Sequence, residues 1–167
     1  ALSQQLKADY DGQAIQSFGE IGYALPAGAG RFEPFAGLNA LWLKNDAFAE
    51  LGGNLALQGA ASTRDYAWST IGLKGSFTFG GHAPLSASFK TGWQHALSGR
   101  AVASTLAFAD GPAFSIEGAP LAKDAGLLDA RLDWALSKSV RMSVGYTGTL
   151  ADQSQSHAAK AVLTIGF

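Results

Sequence analysis

The sequence predicts an all-β protein whose antiparallel strands cross a membrane as a barrel. Charged residues make up 15% of the 167 residues, against about 25% in a typical soluble domain. Apolar residues reach 47%, yet no uninterrupted apolar run approaches the roughly 18 residues that indicate a transmembrane helix. Apolar and polar residues instead alternate, as they do along strands with one face toward lipid and the other toward a lumen.

Composition also narrows the classes of function. A net charge of −1 gives no support for nucleic-acid binding. The absence of cysteine excludes a disulfide framework and a thiolate metal site, and it suits a chain that crosses an oxidising periplasm. The sequence shows no signal peptide, so we expect a chain bound for the outer membrane to be processed or to belong to a longer precursor.

Seven segments alternate with period two between clusters of turn-forming residues. They are 14–25, 31–43, 63–79, 85–97, 126–136, 140–150 and 157–167, with an incomplete strand expected at 2–8. In 85–97, for example, Phe89 and Trp93 fall on one face, whereas Lys90 and Gln94 fall on the other. A helix would place apolar residues three and four apart, which these segments do not do. We therefore expect about eight strands.

The last strand points to the membrane most directly. Leu163, Ile165 and Phe167 share one face, while Lys160 and Thr164 share the other. Chain ends of soluble domains usually fray, whereas outer-membrane barrels commonly end on a strand with a terminal aromatic residue. The strand therefore predicts the closing strand of a barrel.

The connections between strands differ in length. Those after residues 25, 79 and 136 are short, those at 44–62 and 98–125 are long, and 150–156 is intermediate. Short periplasmic turns and long extracellular loops are typical of outer-membrane barrels.

Several segments together resemble the C-terminal β-domain of autotransporters, the type V secretion system. These segments are 18–23 (FGEIGY), 32–38 (FEPFAGL), 69–74 (STIGLK), 92–96 (GWQHA), 116–124 (IEGAPLAKD) and 132–134 (LDW). The resemblance implies a 12-stranded barrel in the outer membrane of a Gram-negative bacterium, which helps to export an N-terminal passenger. With about eight strands, residues 1–167 are expected to form one barrel domain that lacks its N-terminal strands and its passenger.

The resemblance also implies partners. They are outer-membrane lipid, the barrel assembly machinery, periplasmic chaperones and the chain's own passenger segment. The assembly signal of such barrels lies in the last strand, and the matching residues are Lys160, Leu163, Ile165 and Phe167. Val162 stands where a glycine is usual.

Two further sets of residues follow from the alternation. The charges predicted to line the lumen are Glu20, Glu33, Lys74, Lys90, Asp129, Arg131, Asp133, Arg141 and Lys160. The aromatic residues predicted to form girdles at the membrane boundaries are Tyr23, Trp42, Trp93, Trp134 and Tyr146. The charges either form a structural network or guide a passenger segment or ions through the pore, and the sequence leaves both interpretations open.

Catalytic signals are poor, so we expect a protein without enzymatic activity, cofactor or metal. His82, His95 and His157 have no metal-ligand spacing, and the G-x-S-x-G motif is absent. An autotransporter translocator domain is the leading hypothesis. The alternative is a stand-alone eight-stranded outer-membrane barrel that acts as an anchor or adhesin. A soluble ligand-binding barrel ranks last, because its lumen would be apolar.

Overall fold

The computed structural model describes residues 5–53, 55–80, 84–109, 111–152 and 154–166, and this part of the chain is all-β. Every strand pair with a described register is antiparallel, which confirms the predicted class. The described residues form twelve strands. They are β1 (Gly12–Gly22), β2 (Leu25–Ala27), β3 (Gly30–Asn45), β4 (Phe48–Ala49), β5 (Leu57–Gly59), β6 (Ser62–Phe79), β7 (Leu85–Ser98), β8 (Ala103–Phe108), β9 (Ala113–Glu117), β10 (Asp124–Ala135), β11 (Val140–Ala151) and β12 (Ser154–Ile165).

Eight of these strands form one sheet. Its order is β1-β3-β6-β7-β10-β11-β12, with β2 paired to β3. The long strands follow each other in chain order, as the period-two segments predict. The register of β10 shows their regularity: it pairs with β11 from Ala125↔Ala151 to Ala135↔Arg141, without a gap.

The expectation of about eight strands is wrong for the described chain as a whole, because the two long connections carry strands of their own. β4 and β5 lie between β3 and β6, and β8 and β9 lie between β7 and β10. They form a second sheet in the order β4-β5-β8-β9. These strands are two to six residues long, and such short segments give period-two alternation too few repeats to be recognised.

Several predicted boundaries also change. Pro26, expected in a turn, lies in β2 opposite Arg31, and the turn to β3 shrinks to residues 28 and 29. Gly28 has a φ of +56° there, which glycine adopts without steric cost. The connection between β11 and β12, expected to be of intermediate length, spans two residues.

The strand expected at 2–8 is not formed by its described residues. Lys7 makes an isolated antiparallel bridge with Leu51, while residues 2–4 lie outside the described ranges. The C-terminal strand begins at Ser154 rather than at His157 and is described up to Ile165. Its predicted end, Phe167, lies outside the described residues.

Two compact units divide the chain. Unit 1 comprises Ala1–Ser17, Asn39–Ala67 and Ala96–Leu121, and unit 2 comprises Phe18–Leu38, Trp68–His95 and Ala122–Phe167. The four-stranded sheet belongs to unit 1, and β2, β10, β11 and β12 belong to unit 2. Across the described residues, no helix has both the length and the hydropathy that a membrane span would need.

Candidate functional site

The predicted lumen charges all lie on one face of the eight-stranded sheet, in strand segments that belong to unit 2. Directly paired residues of antiparallel strands share a face, and the register places Lys90 opposite Asp129 and Arg131 opposite Gly145. Gly145 in turn pairs with Lys160. We call this side the charged face. Its charged residues are Glu20, Arg31, Glu33, Lys74, Lys90, Asp129, Arg131, Asp133, Arg141 and Lys160.

Arg31 is the member that the sequence reasoning missed. It stands two residues before Glu33 on β3, so its position has the same alternation parity as a residue that was assigned to the charged face. The alternation along β3 was therefore enough to assign Arg31 to the charged face. It was overlooked because the predicted strand began at this residue.

Four charged residues of this face form one cluster around a buried ring. Lys74 donates hydrogen bonds to Glu20 and to Glu33, the latter at 3.1 Å, and Lys90 donates to Glu20 at 3.2 Å. The ammonium groups of Lys74 and Lys90 also lie 4.9 and 4.5 Å from the centroid of the Phe35 ring. Cations are attracted to the face of an aromatic ring, so Phe35 helps to hold both lysines beside their carboxylates.

Phe35 reaches this position because β6 has no side chain beneath it. The ring is 5% exposed and lies over Gly72, where an added Cβ would come within 2.7 Å of the Phe35 Cε1 atom. Glycine in a strand often marks such a close approach. The cluster therefore depends on a glycine from one strand and an aromatic residue from its neighbour.

A second polar network lies further along the same face, on β10 and β11. Arg131 donates from Nε and Nη2 to the two carboxylate oxygens of Asp133, at 2.7 and 2.8 Å. Ser143 donates its hydroxyl to Asp133, and Thr147 donates to Asp129 at 2.8 Å. Asp129 and Asp133, the two carboxylates of β10 on the charged face, are thus held by partners on that face.

A cavity of about 610 Å³ opens on the charged face. Its charged lining residues come from five strands: Arg31, Glu33, Lys74, Lys90, Asp129, Arg131 and Lys160. Small or polar residues such as Ser76, Ser88 and Ala158 and the aromatic residues Phe89 and Tyr146 also line it. The cavity therefore combines charged groups with apolar surface.

The opposite side, which we call the apolar face, exposes large hydrophobic side chains. On β10, Leu132 is 50% exposed, and on β12 Leu163 and Ile165 are each 59% exposed. Among the described residues, only Phe35, Ala56, Tyr66 and Ala125 form the buried hydrophobic set. A contiguous exposed apolar surface of this kind marks a surface that contacts protein or membrane.

Two of the predicted girdle residues lie near opposite ends of the apolar face. Trp93 is level with Gly126 on β10, and Trp134 lies eight residues further along that strand. At a rise of about 3.4 Å per residue this separation is roughly 27 Å along the strand. A tilt of 35–45° reduces it to a height of about 20 Å, close to the apolar band of about 25 Å in outer-membrane barrels.

Tyr146 lies between these levels, opposite Ala130, but its ring extends toward the Trp93 end. A Cβ at Gly148 would be 3.0 Å from the Tyr146 hydroxyl oxygen, and this hydroxyl lies 2.7 Å from Nδ1 of His157. The other two predicted girdle residues lie at strand ends. Tyr23 is 71% exposed beyond the end of β1, and Trp42 is half-buried near the end of β3.

The histidines do not form a metal site in the described residues. His95 Nδ1 lies 2.7 Å from a carboxylate oxygen of Asp124, two residues beyond Trp93, and this hydrogen bond lowers the pKa of Asp124 below its ordinary 3.8. The described ranges hold no group of three or more His, Cys, Asp and Glu side chains arranged for a metal ion. His82 lies outside these ranges.

The predicted assembly-signal residues divide between the two faces. Lys160 lies on the charged face opposite Gly145, whereas Leu163 pairs with Met142 and Ile165 with Val140 on the apolar face. The alternation of β12 is therefore that of the neighbouring strands, and its apolar side chains continue the apolar face to the last strand of the sheet.

Comparison with known proteins gives two related results. A sequence model of a family described as "Autotransporter beta-domain" matches residues 1–147. Two proteins of Serratia marcescens, each named "Extracellular serine protease", are 30% identical to this chain over 169 aligned residues. The alignment covers 100% of this chain and 16% of each relative, so the chain spans about a sixth of the length of the relatives that it matches.

Proposed function

The chain belongs to the autotransporter beta-domain family, and from this premise we propose that it anchors a longer protein and assists the export of an N-terminal passenger. Members of the family are translocator domains in the outer membrane of Gram-negative bacteria. This membrane is therefore the location of the chain. The presence of a passenger is part of the proposal.

The separation of charge between the two faces is the observation that supports the proposal most. In the strands of unit 2, every lysine and arginine lies on the charged face, while the apolar face carries exposed Leu132, Leu163 and Ile165. A lysine or arginine on the lipid side of a barrel costs about 2–4 kcal/mol at the bilayer midplane. The arrangement is therefore suited to lipid outside and water inside.

We propose that the eight-stranded sheet forms part of a closed 12-stranded barrel, with the charged face lining the lumen and residues 1–167 contributing one domain. β1 and β12 are the ends of the described sheet path. Exposed strand edges are unfavourable in lipid, where backbone groups find no water. Closure, with strands from outside this chain if needed, would satisfy both edges.

We also propose that Lys160, Leu163, Ile165 and Phe167 act as the signal for the barrel assembly machinery, after delivery by periplasmic chaperones. The support is the alternation of β12, which places Leu163 and Ile165 together on the apolar face. The girdle function of Trp93 and Trp134 is a proposal of the same kind. It is supported by their separation along the strands.

We further propose that the domain acts without catalysis. The carboxylates of Glu20, Glu33 and Asp133 are each engaged in ion pairs, which suits a structural network. The relatives are named for a serine protease activity. We attribute that activity to a part of those proteins outside the aligned sixth.

The test is insertion followed by export. The full-length protein, refolded in detergent, should migrate differently on a denaturing gel before and after boiling, and in cells the N-terminal segment should become accessible to external protease. Insertion without export would contradict the translocator function but not the barrel. A water-soluble protein with the same migration in both samples would contradict both.

A further inference from the structure

Most of the charges on the charged face neutralise each other in local sets. Lys74 and Lys90 form ion pairs with Glu20 and Glu33, which gives two positive and two negative charges. Arg131 forms an ion pair with Asp133 at 2.7 Å, which adds one of each sign. These six residues therefore contribute no net charge.

The remaining charged residues of this face are mainly cationic. They are Arg31, Arg141 and Lys160, against the single carboxylate of Asp129. Within the described part of the chain, none of these three cations forms an ion pair. Asp129 is engaged by the Thr147 hydroxyl instead. The face thus carries an excess of two positive charges.

Two of the three unpaired cations, Arg31 and Lys160, line the cavity of about 610 Å³ together with Asp129, so the unpaired charges there sum to +1. The other charged lining residues, Glu33, Lys74, Lys90 and Arg131, belong to the ion-paired sets. Lys160 pairs with Gly145, which has no side chain to cover the ammonium group. Arg31 is also exposed. Both cations are therefore accessible to a partner that enters the cavity.

We propose that this cavity binds a polypeptide segment that carries carboxylate side chains, with Arg31 and Lys160 as its charged contacts. The proposal rests on the proposed function, because a lumen that assists export must accommodate a polypeptide. The cavity is far larger than a single small anion. Its cations are separated by small residues such as Ser76, Ser88 and Ala158, which leave room for a backbone between successive acidic side chains.

Electrostatic complementarity of this kind attracts a segment of opposite charge and disfavours one of like charge. An acidic segment would gain from two accessible cations, whereas a basic segment would be repelled by them. The ion pairs around Lys74 and Arg131 would stay intact in both cases. Selectivity therefore depends on the cations that lack an intramolecular partner.

The experiment measures binding of two labelled peptides to the full chain folded in detergent. One peptide alternates glutamate with alanine, and the other replaces each glutamate with glutamine. The protein variants are Arg31→Gln, Lys160→Gln and the double variant. Lys138→Gln serves as the matched control, because Lys138 is an exposed lysine in the turn between β10 and β11.

We expect the glutamate peptide to bind in a salt-dependent manner and the glutamine peptide to bind at least fivefold more weakly. Each cavity variant should weaken binding of the glutamate peptide by about twofold to fivefold, as expected for partly exposed ion pairs. Lys138→Gln should leave it unchanged. Equal binding of the two peptides, no saturable binding, or cavity variants that behave like Lys138→Gln would overturn the proposal.

Measuring the boiling-dependent gel migration of every variant distinguishes a failure of this inference from a failure of the proposed function. A variant that still shifts on boiling has folded, so a loss of binding reports on the cavity. If the wild-type protein shifts on boiling but does not bind the glutamate peptide, the proposal of an acidic segment is wrong and the barrel is not contradicted. A wild-type protein that never shifts on boiling contradicts the barrel and this inference together.

Discussion

The charged and apolar faces of the eight-stranded sheet are built from the same strands, yet their side chains behave differently. On β10, Asp129, Arg131 and Asp133 alternate with Leu128, Leu132 and Trp134. The first set forms ion pairs and hydrogen bonds with neighbouring strands, whereas the second projects outward and stays 40–50% exposed. The difference supports the proposal that the two faces contact different surroundings.

The largest expected effect comes from moving a charge to the wrong face. Leu132→Lys places an ammonium group on the apolar face of β10, and we expect it to lower the free energy of unfolding in lipid vesicles by about 2–4 kcal/mol. Urea titration with boiling-dependent gel migration as the readout measures this change. The matched variant Ala158→Lys adds the same charge to the charged face opposite Thr147 and should be nearly neutral. Similar losses for both variants would refute the assignment of the two faces.

The next effect tests the packing beneath the charged cluster. Gly72→Ala would place a methyl group against the backbone carbonyl oxygen of Thr91 and within 2.7 Å of the Phe35 Cε1 atom, and overpacking of this kind costs about 1–3 kcal/mol. Gly19→Ala is the matched control, since nothing lies within 4 Å of an added Cβ there. Chemical unfolding of both variants measures the difference in their free energies of unfolding. If Gly72→Ala were as stable as Gly19→Ala, the close packing of Phe35 and the β7 backbone around Gly72 would be disproved.

A smaller effect is expected from the ion pairs themselves. Lys74→Gln removes the shared partner of Glu20 and Glu33, whose side chains are 35% and 24% exposed. Because pairs at this exposure are worth about 0.2–1 kcal/mol each, we expect a loss of about 1 kcal/mol that shrinks at high salt. Lys138→Gln, in an exposed turn, should change stability little. A loss that does not depend on salt would argue against electrostatic pairing as its cause.

The smallest effect concerns the rim of the apolar face. The hydrogen bond from His95 lowers the pKa of Asp124 below 3.8, so its contribution to stability is present above about pH 4 and is lost as the pH falls through the lowered pKa. Asp124→Asn should therefore flatten the decrease of Tm between about pH 4 and pH 2. Thermal unfolding across this range is the measurement. An unchanged pH profile would show that the pair does not contribute to stability.

Features that follow from neighbouring residues in the chain could be predicted from the sequence, whereas features that lack such a local pattern could not. The face of each charge in β10 and β11 follows from period-two alternation, which is a local property of any strand. The short strands β4, β5, β8 and β9 escaped prediction because two to six residues do not establish a period. Arg31 escaped because it stood at the first position of its predicted strand.

The sequence by itself determined the all-β class, the family and the division of residues between two faces, because alternation along a strand needs no knowledge of its neighbours. Only the tertiary structure decided which charges meet. Glu20 and Lys74 are 54 positions apart in the chain, and Lys90 is 70 positions from Glu20. Their contacts depend on the order and register of β1, β3, β6 and β7. The accessibility of Arg31 and Lys160 is likewise a result of that pairing, since it depends on which side chains stand opposite.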